Sequence, residues 1–502
     1  MIIMSSRHAA LQHAIAGFEQ VKIPLIGYDG ASYFTVYPTG DDVGSYYFIP
    51  LLVRWFDISV NQAINSFYLS MAVGSLILGA IGCWFLFRNT LSRLISLLSL
   101  PLILSLAYQH GDVYMAFPCV MIAVVPLFLC FLQRHCCGAG FGAFLCCAGI
   151  LLSTSHYIRG HSDTALMFLM LIGLCFQLQA AWTRKAVLVA SLAVGFLLPV
   201  PFFSHMMAQR DAFMSSINPD YVPPLPQHPF WHTVYCGLGY LQNSYGLQYL
   251  DSVAYGRVAQ DAPKAAYISR EYEATLKNAV FTLYEQDPAY VVNTVFAKLG
   301  VIGYALLRYA GVGLLCLFFL KRDWALHAAF FVALAFNALF GIAAIPTDTY
   351  LSALIPLALF YGVFNLATIV EVLDRKQSFL AYFWATSALC AVLSLWVLRG
   401  FESLLPVLLV GLASLIVYRC QPSLSRWYNH IASFPRDIAW RRTRQVLLVT
   451  AVVLCLVTTR KMHRRFRRSW ETSLPASVEV MKQSTDTAAR QIPCGYPPEI
   501  PS

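Results

Sequence analysis

The chain of 502 residues is 58% hydrophobic and only 12% charged, a composition that excludes a soluble globular protein. Its apolar residues come in blocks of about 17–22, long enough to cross a bilayer as helices that satisfy their own backbone hydrogen bonds. The net charge of +10 does not indicate nucleic acid binding, because the basic residues fall in short loops between these blocks. The sequence therefore predicts an all-α polytopic membrane protein, with membrane lipids as partners and no nucleic acid.

The N-terminal segment, residues 1–64, is predicted to lie outside the membrane and contains the motif YPTGDDVGSYYF. Asp41 and Asp42 are adjacent carboxylates in a glycine-flanked turn, and the apolar run after them predicts a short helix in the membrane interface. Either carboxylate is a candidate catalytic base, with Tyr46 and Tyr47 as candidate substrate contacts; a solvated turn is the alternative. Because no apolar helix precedes this segment, we expect that one is missing from the N-terminus, unless the tail crosses the membrane by itself.

About twelve blocks are predicted to span the membrane. They are residues 65–87, 91–108, 114–132, 138–154, 164–182, 186–203, 301–320, 324–345, 349–370, 379–398, 404–418 and 446–459. Arginine and lysine fall in alternate loops, which the positive-inside rule places in the cytoplasm, so the other loops lie outside. The chain thus divides into a first transmembrane bundle (65–203), a long external loop (204–290), a second bundle (291–459) and a basic tail (460–502). That tail either binds anionic phosphate groups outside, or the last block does not span.

Two short outer loops add polar residues to the predicted outer face. HGDVY contains His110 and Asp112, and HYIRGHSD contains His156, Arg159 and His161. Arginine offers planar, paired donors to phosphate, so all five are candidate substrate-binding residues. A helix N-cap for the aspartate and an interfacial anchor for the others are the simpler alternatives. Oxygen and imidazole groups also suit a divalent cation such as Mg or Mn. The spacing of the four possible ligands matches no defined site, so the metal stays unknown; they are Asp41, Asp112, His156 and His161.

The long outer loop opens with a proline-rich segment that excludes helix over residues 219–229. The segment after it is rich in glycine and aromatic residues. Here His232, Tyr240 and Asn243 are candidate contacts for a carbohydrate or a lipid headgroup, with an interfacial aromatic belt as the alternative.

Two amphipathic helices are predicted at the end of this loop. Ser269 is the expected N-cap of the first, and Asp287 that of the second, with Pro288 at its first helical position. Most of the 14 cysteines lie inside apolar blocks and are expected to pack as small apolar side chains. Cys236 and Cys494 lie outside and are candidates for pairing.

The pattern of motifs resembles the polytopic glycosyltransferases of the GT-C superfamily. The resemblance rests on GDDVGSYY at residues 40–47, supported by HGDVY and HYIRGHSD, and on an acidic outer loop followed by an interfacial helix. It implies transfer of a sugar from a polyprenyl-phosphate donor to a glycan, lipid or protein acceptor, at the outer face of what is expected to be a bacterial inner membrane. It also implies that Asp41 or Asp42 takes the acceptor proton, while Arg159 and His161 stabilise the departing phosphate.

Three other functions stay open at this point. A transporter or flippase of a lipid-linked substrate would place charges near the middle of its spans, where this sequence has few. A polymerase or ligase of lipid-linked polysaccharide would also be rich in outer arginines. A non-catalytic scaffold would tolerate replacement of both aspartates by asparagine.

Overall fold

The computed structural model describes residues 7–36, 42–108, 112–160, 163–225, 229–317, 320 and 324–373, and these form mostly helices. The helices are α1 (His8–Val21), α2 (Val43–Phe56), α3 (Val60–Leu86), α4 (Thr90–Tyr108), α5 (Ala116–Gln133), α6 (Ala139–Ile158), α7 (Thr164–Ile172), α8 (Trp182–Leu197), α9 (Pro199–Ile217), α10 (Phe230–Leu238), α11 (Asp251–Asp261), α12 (Arg270–Gln286), α13 (Pro288–Cys316), α14 (Trp324–Ala343) and α15 (Leu354–Leu373). A 3-10 turn, Asp112–Met115, leads into α5, and a π-helical turn, Gly173–Gln177, follows α7. Strands β1 (Ile26–Tyr28) and β2 (Tyr33–Thr35) form an antiparallel hairpin in which Gly27 pairs with Phe34.

Seven helical segments of the described chain are long and apolar enough to cross a membrane. They are Val60–Leu86, Asp112–Gln133, Ala139–Ile158, Trp182–Ile217, Pro288–Gly311, Trp324–Ala343 and Leu354–Glu371. The predicted spans 91–108 and 164–182 are helical over the shorter apolar stretches Ser92–Leu106 and Thr164–Gln177. The last three predicted spans and the tail 460–502 lie outside the described residues, so the count of twelve stays a prediction.

The bundle is built around α5, which is apolar on every side and largely enclosed by other helices, as expected for a central helix. Its main partner is α3. A Cβ atom at Gly82 would lie 2.7 Å from the backbone nitrogen of Leu127, so the two helix backbones touch there. Small residues permit this close contact between membrane helices. The opposite face of α3 exposes Leu69, Ile77 and Trp84, as is typical of a surface that faces lipid.

Basic side chains lie at one end of this bundle, where they donate hydrogen bonds to backbone carbonyl oxygens. Arg134 Nη2 donates to the Phe85 carbonyl oxygen at the end of α3, at 2.8 Å. Lys185 Nζ donates to the Cys175 carbonyl oxygen in the π-helical turn, at 2.7 Å. Cations are favourable at helix C-termini, where carbonyl groups lack partners. The other loops that flank α3, α5 and α6, which contain acidic residues and histidine, therefore lie at the opposite end of the bundle.

Polar side chains cap several helix starts, and the two N-caps predicted in the long loop are confirmed. Ser59 and Gln62 form a reciprocal capping box at the start of α3. Ser269 Oγ accepts the backbone N–H of Tyr272 in α12, and Asp287 precedes Pro288 at the start of α13. The helix predicted after the aspartate pair is α2, which begins at Val43 and ends at Phe56; its position in the membrane interface stays a prediction.

Candidate functional site

Four charged residues from four separate segments meet at the end of the bundle opposite the basic loops. Asp42 lies at the N-cap of α2, and Asp112 opens the turn before α5. Arg159 follows the last residue of α6, and Arg7 precedes the first residue of α1. We call Arg7, Asp42, Asp112 and Arg159 the acidic centre.

The Asp42 carboxylate lies between the two arginines and is completely buried. Arg7 donates from Nε to Oδ2 at 2.8 Å, and its Nη2 lies 2.5 Å from the same oxygen. On the other side, Arg159 Nη1 donates to Oδ1 at 3.4 Å. Two guanidinium groups thus compensate one buried carboxylate, which would otherwise be costly to desolvate.

Asp112 shares one of these arginines. Arg7 Nη1 donates to Asp112 Oδ2 at 2.9 Å, and the Tyr68 hydroxyl donates to Oδ1 at 3.0 Å. Ser45 Oγ lies 3.2 Å from the same hydroxyl. Arg7 therefore bridges both carboxylates, while Tyr68 connects Asp112 to α2 through Ser45.

Arg159 is held by an aromatic neighbour as well as by Asp42. Its Nη2 donates to the Tyr114 hydroxyl at 3.3 Å, and its guanidinium carbon lies 4.7 Å from the centre of the Tyr114 ring. A planar guanidinium over an aromatic face is a cation–π contact. The arginine therefore lies between Asp42 and the turn that leads into α5.

Both aspartates of the acidic centre have left-handed backbone conformations. The φ angle is 68° at Asp42 and 57° at Asp112. L-residues other than glycine rarely adopt this region, and they do so most often at turns and functional sites. The chain therefore bends sharply at both points where a carboxylate enters the centre.

The other residues predicted for this site have varied positions. Asp41, His110 and His161 lie outside the described residues. Tyr46 is buried in α2, and Tyr47 makes an edge-to-face contact with Phe202 of α9 at 5.2 Å between ring centres. His156 Nδ1 lies 2.9 Å from Asp163 Oδ1. For Tyr46, Tyr47 and His156, substrate binding stays a prediction.

The structure changes the interpretation of the aspartates that resemble helix caps. The Asp112 carboxylate binds Arg7 and Tyr68 rather than the backbone of the helix that it precedes. Asp163 stands at the N-cap of α7 but makes no capping bond with its side chain and binds His156 instead. Side-chain partners from other segments thus outcompete the local backbone donors.

Sequence reasoning overlooked Arg7 and Tyr68. A cation directly before α1 is unfavourable with respect to the helix dipole, so Arg7 could have signalled a partner elsewhere. Tyr68 lies within the apolar stretch of α3, where a buried hydroxyl requires a hydrogen-bond partner. Neither signal identifies that partner.

A second group of polar side chains lies in the long loop. His232 Nδ1 is 2.7 Å from the Tyr272 hydroxyl, and its Nε2 is 3.1 Å from Asp251 Oδ1. Cys236 Sγ lies 3.8 Å from the same Nε2. We call His232, Cys236, Asp251 and Tyr272 the loop cluster. Burial raises the pKa of the Cys236 thiol to about 12, an effect that the nearby Asp251 charge reinforces.

The other two residues predicted to bind substrate in the long loop, Asn243 and Tyr240, lie at one turn of that loop. Asn243 donates from Nδ2 to the carbonyl oxygens of Leu241 and Leu247, and its Oδ1 accepts the N–H groups of Tyr245 and Leu247. All of these bonds hold the loop backbone in place. Tyr240 is half-buried beside this turn. For both residues, contact with a substrate stays a prediction.

Tyr350 is a half-buried tyrosine that packs against the long loop. Its ring packs edge-on against Tyr249 of the long loop, with 5.7 Å between ring centres. Burial raises its pKa to about 12, and electrostatic interactions with Tyr114, Arg159 and Asp251 also act on it. Tyr350 thus lies within electrostatic range of one residue of each group, Arg159 and Asp251.

Comparison with known proteins gives no relative for this arrangement: no family model, curated protein or solved structure matches the chain. The interpretation of the site therefore rests on its own chemistry.

Proposed function

We propose that this protein is a membrane glycosyltransferase that moves a sugar from a polyprenyl-phosphate donor to a glycan, lipid or protein acceptor. The observation that carries the proposal is the acidic centre. Its paired carboxylates and guanidiniums lie at one end of a bundle of membrane-length helices. A lipid-linked phosphate would present its charged group at that level, where arginine suits the phosphate and aspartate suits an acceptor hydroxyl.

The arrangement suggests how substrate binding would activate the base. Asp42 accepts hydrogen bonds from both arginines, so its oxygens are occupied. A donor phosphate competes for the same guanidiniums. When Arg159 turns to the phosphate, Asp42 Oδ1 becomes available to accept the proton of the attacking hydroxyl. The hydroxyl oxygen then bonds to the anomeric carbon as the bond to the phosphate oxygen breaks, and the arginine stabilises the charge on the departing phosphate.

A divalent cation such as Mg or Mn is an alternative source of positive charge. Arg7 now compensates both Asp42 and Asp112, so a cation bound by the two carboxylates would have to displace it. Loss of transfer on chelation, restored by Mg or Mn, would indicate that the metal takes part.

The decisive experiment is the Asp42→Asn substitution, assayed for sugar transfer in proteoliposomes with polyprenyl-phosphate hexoses and pentoses. Removing a general base lowers the rate by about 10²–10⁴-fold. The matched control is Asp261→Asn, which removes an exposed aspartate paired with Arg257 in α11 and should leave transfer unchanged. Full activity of the Asp42 variant would refute the proposed base.

Mass spectrometry of cells with and without the gene separates the proposal from the transporter, flippase, polymerase and ligase alternatives. Loss of one sugar from the surface glycans, with build-up of its polyprenyl phosphate, supports transfer. Accumulation of a complete but untransported lipid-linked glycan supports a flippase. One observation weakens the transport alternative: Lys298, buried in α13, donates to the carbonyl oxygens of Ile342 and Ala344, and thus holds the end of α14.

We further propose that the acidic centre faces outward from a bacterial inner membrane. The exposed turn between β1 and β2 lies in the same predicted outer segment as Asp42. An Ala31→Cys substitution there should react with a membrane-impermeant maleimide in intact cells. The native Cys136 and Cys137, in a predicted inner loop, should react only after the membrane is opened. The reverse pattern would invert the topology and refute an outward-facing site.

A further inference from the structure

Three side chains of the loop cluster bring metal-binding atoms together. His232 and Cys236 are four residues apart in α10, so they share one face of that helix. Asp251, the first residue of α11, faces them. The imidazole Nε2, the thiol Sγ and a carboxylate oxygen lie within 4.8 Å of one another.

These separations are close to those of a bound zinc ion. Zinc bonds of about 2.0–2.3 Å in a tetrahedral arrangement place ligand atoms about 3.3–3.8 Å apart. Here Nε2 lies 3.1 Å from Asp251 Oδ1 and 3.8 Å from Cys236 Sγ. A small movement of Asp251, whose side chain is 73% exposed, would complete the set.

The same residue types also form cysteine-dependent catalytic triads, but the geometry differs. In a triad, one imidazole nitrogen faces the nucleophile and the other faces the orienting acid. Here the thiol and the carboxylate both face Nε2, whereas Nδ1 faces the Tyr272 hydroxyl. Convergence on one nitrogen is the pattern of ligands around a shared ion.

The surroundings orient the ligands as metal sites require. Tyr272 fixes the imidazole through its second nitrogen, a role that outer partners of histidine ligands usually have. Glu273 accepts the backbone N–H groups of Trp231 and His232, and so holds the start of α10 against α12. His232 and Cys236 are buried, while Asp251 opens to solvent.

We propose that His232, Cys236 and Asp251 bind a divalent transition metal, Zn²⁺ by ligand type, with a fourth position open on the solvent side. Imidazole and thiolate together favour zinc over Mg or Mn. Binding releases the thiol proton of Cys236 to solvent and replaces its hydrogen bond to the Leu250 carbonyl oxygen with a bond to the metal. The ion links α10 to α11 and so sets the position of the long loop.

The experiment is a titration of purified, chelator-treated protein in detergent with Co²⁺, a spectroscopic substitute for Zn²⁺. We expect one Co²⁺ per chain, a thiolate-to-metal charge-transfer band, and displacement of that band by Zn²⁺. The Cys236→Ser substitution should abolish the band. Asp251→Asn should weaken Co²⁺ binding while keeping the band. Tyr272→Phe should lower the Co²⁺ affinity by about 10–100-fold, as loss of an outer-shell partner does.

The control is the double variant Cys136→Ser, Cys137→Ser, which removes the two adjacent thiols most apt to bind Co²⁺ by chance and should leave the band unchanged. Circular dichroism verifies that each variant keeps its helices, and Asp251→Asn, at an exposed position, provides a test independent of core packing. A band that survives in Cys236→Ser, disappears in the double variant or is absent from the native protein would overturn the proposal. An unchanged Co²⁺ affinity of the Asp251→Asn variant would show that Asp251 is not a ligand, and this result would also overturn the proposal.

Discussion

The acidic centre and the loop cluster stabilise their charged groups in opposite ways. In the acidic centre, arginines from distant parts of the chain compensate two carboxylates, and Arg7 lies 35 residues from Asp42 and 105 from Asp112. In the loop cluster, a carboxylate exposed to solvent meets a histidine only 19 residues away. The first arrangement depends on buried charge pairing, whereas the second depends on an exposed carboxylate, helix geometry and a tyrosine hydroxyl.

This difference implies different responses to substitution. A buried ion pair is costly to break because the remaining charge has no water around it. A partly exposed group loses little when its partner is removed, because solvent replaces the contact. The acidic centre should therefore be the more fragile of the two regions.

The largest effect is expected for Arg7→Ala. The substitution leaves two buried carboxylates with one fewer guanidinium, which costs about 3–5 kcal/mol of stability. Thermal unfolding in detergent measures the loss. Adding Asp112→Asn to the same chain removes the charge of one carboxylate that lost Arg7 as its partner. This second substitution should recover part of the stability.

The matched control for this prediction is Arg257→Ala. Arg257 donates to Asp261 at 2.6 Å, a distance similar to those between Arg7 and Asp42, but the pair is exposed. Its loss should cost at most about 0.5 kcal/mol. Equal losses for Arg7→Ala and Arg257→Ala would show that burial does not distinguish the two regions.

An intermediate effect is expected for Glu273→Gln in the loop. Glu273 accepts hydrogen bonds from the first N–H groups of α10, and its charge is favourable at that helix start. The glutamine amide oxygen can accept only one of these two N–H groups, and the amide NH₂ faces the other. The substitution should therefore cost about 1–2 kcal/mol of folding stability. Urea unfolding measures the effect, with Glu271→Gln as a control in the same helix turn. A similar loss in both variants would attribute the effect to charge near α12 rather than to these two bonds.

The smallest effect is expected for Tyr350→Phe, which removes a hydroxyl within electrostatic range of both regions and costs about 1 kcal/mol. The pKa of Tyr350 is raised from 10.0 to about 12, mainly by burial. Its folded form therefore holds the proton more tightly than the unfolded form. The resulting stability is fully present below about pH 10 and is lost as the pH rises toward 12.

Thermal unfolding between pH 9 and about 12 tests this expectation, since the range brackets the titration. The native protein should lose stability more steeply than Tyr350→Phe over that interval. The exposed Tyr284→Phe variant should follow the native curve. Parallel curves for the native protein and Tyr350→Phe would show that folding does not raise the pKa of Tyr350.

Periodicity and capping signals predicted much of the local structure. The amphipathic helix predicted after Ser269 is α12, whose buried face carries Tyr272, Leu276 and Leu283. Alternation of basic loops grouped the loops of Asp42, Asp112 and Arg159 on one face, and these residues meet in the structure. The first result depends on information within one helix, and the second on the charges of successive loops along the chain.

The partners within each site could not be predicted in the same way. Whether Asp112 caps its own helix or binds Arg7 depends on how α1 and α5 approach each other, and no local pattern encodes that. The packing of α1 against β1 depends in turn on Gly17, where a Cβ atom would lie 2.1 Å from the Ile26 carbonyl oxygen. The convergence of His232, Cys236 and Asp251 likewise requires the turn between α10 and α11.

At Asp42 and Asp112, the left-handed backbone conformation allows two requirements to be tested separately: the backbone path and the negative charge of the side chain. Among residues with a side chain, aspartate and asparagine tolerate this backbone geometry best, while longer side chains tolerate it less well. Asparagine therefore preserves the path of the chain and alters only the charge, whereas glutamate keeps the charge and disturbs the path. Comparing the two replacements at either position would reveal whether shape or ionisation is the property that the molecule cannot lose.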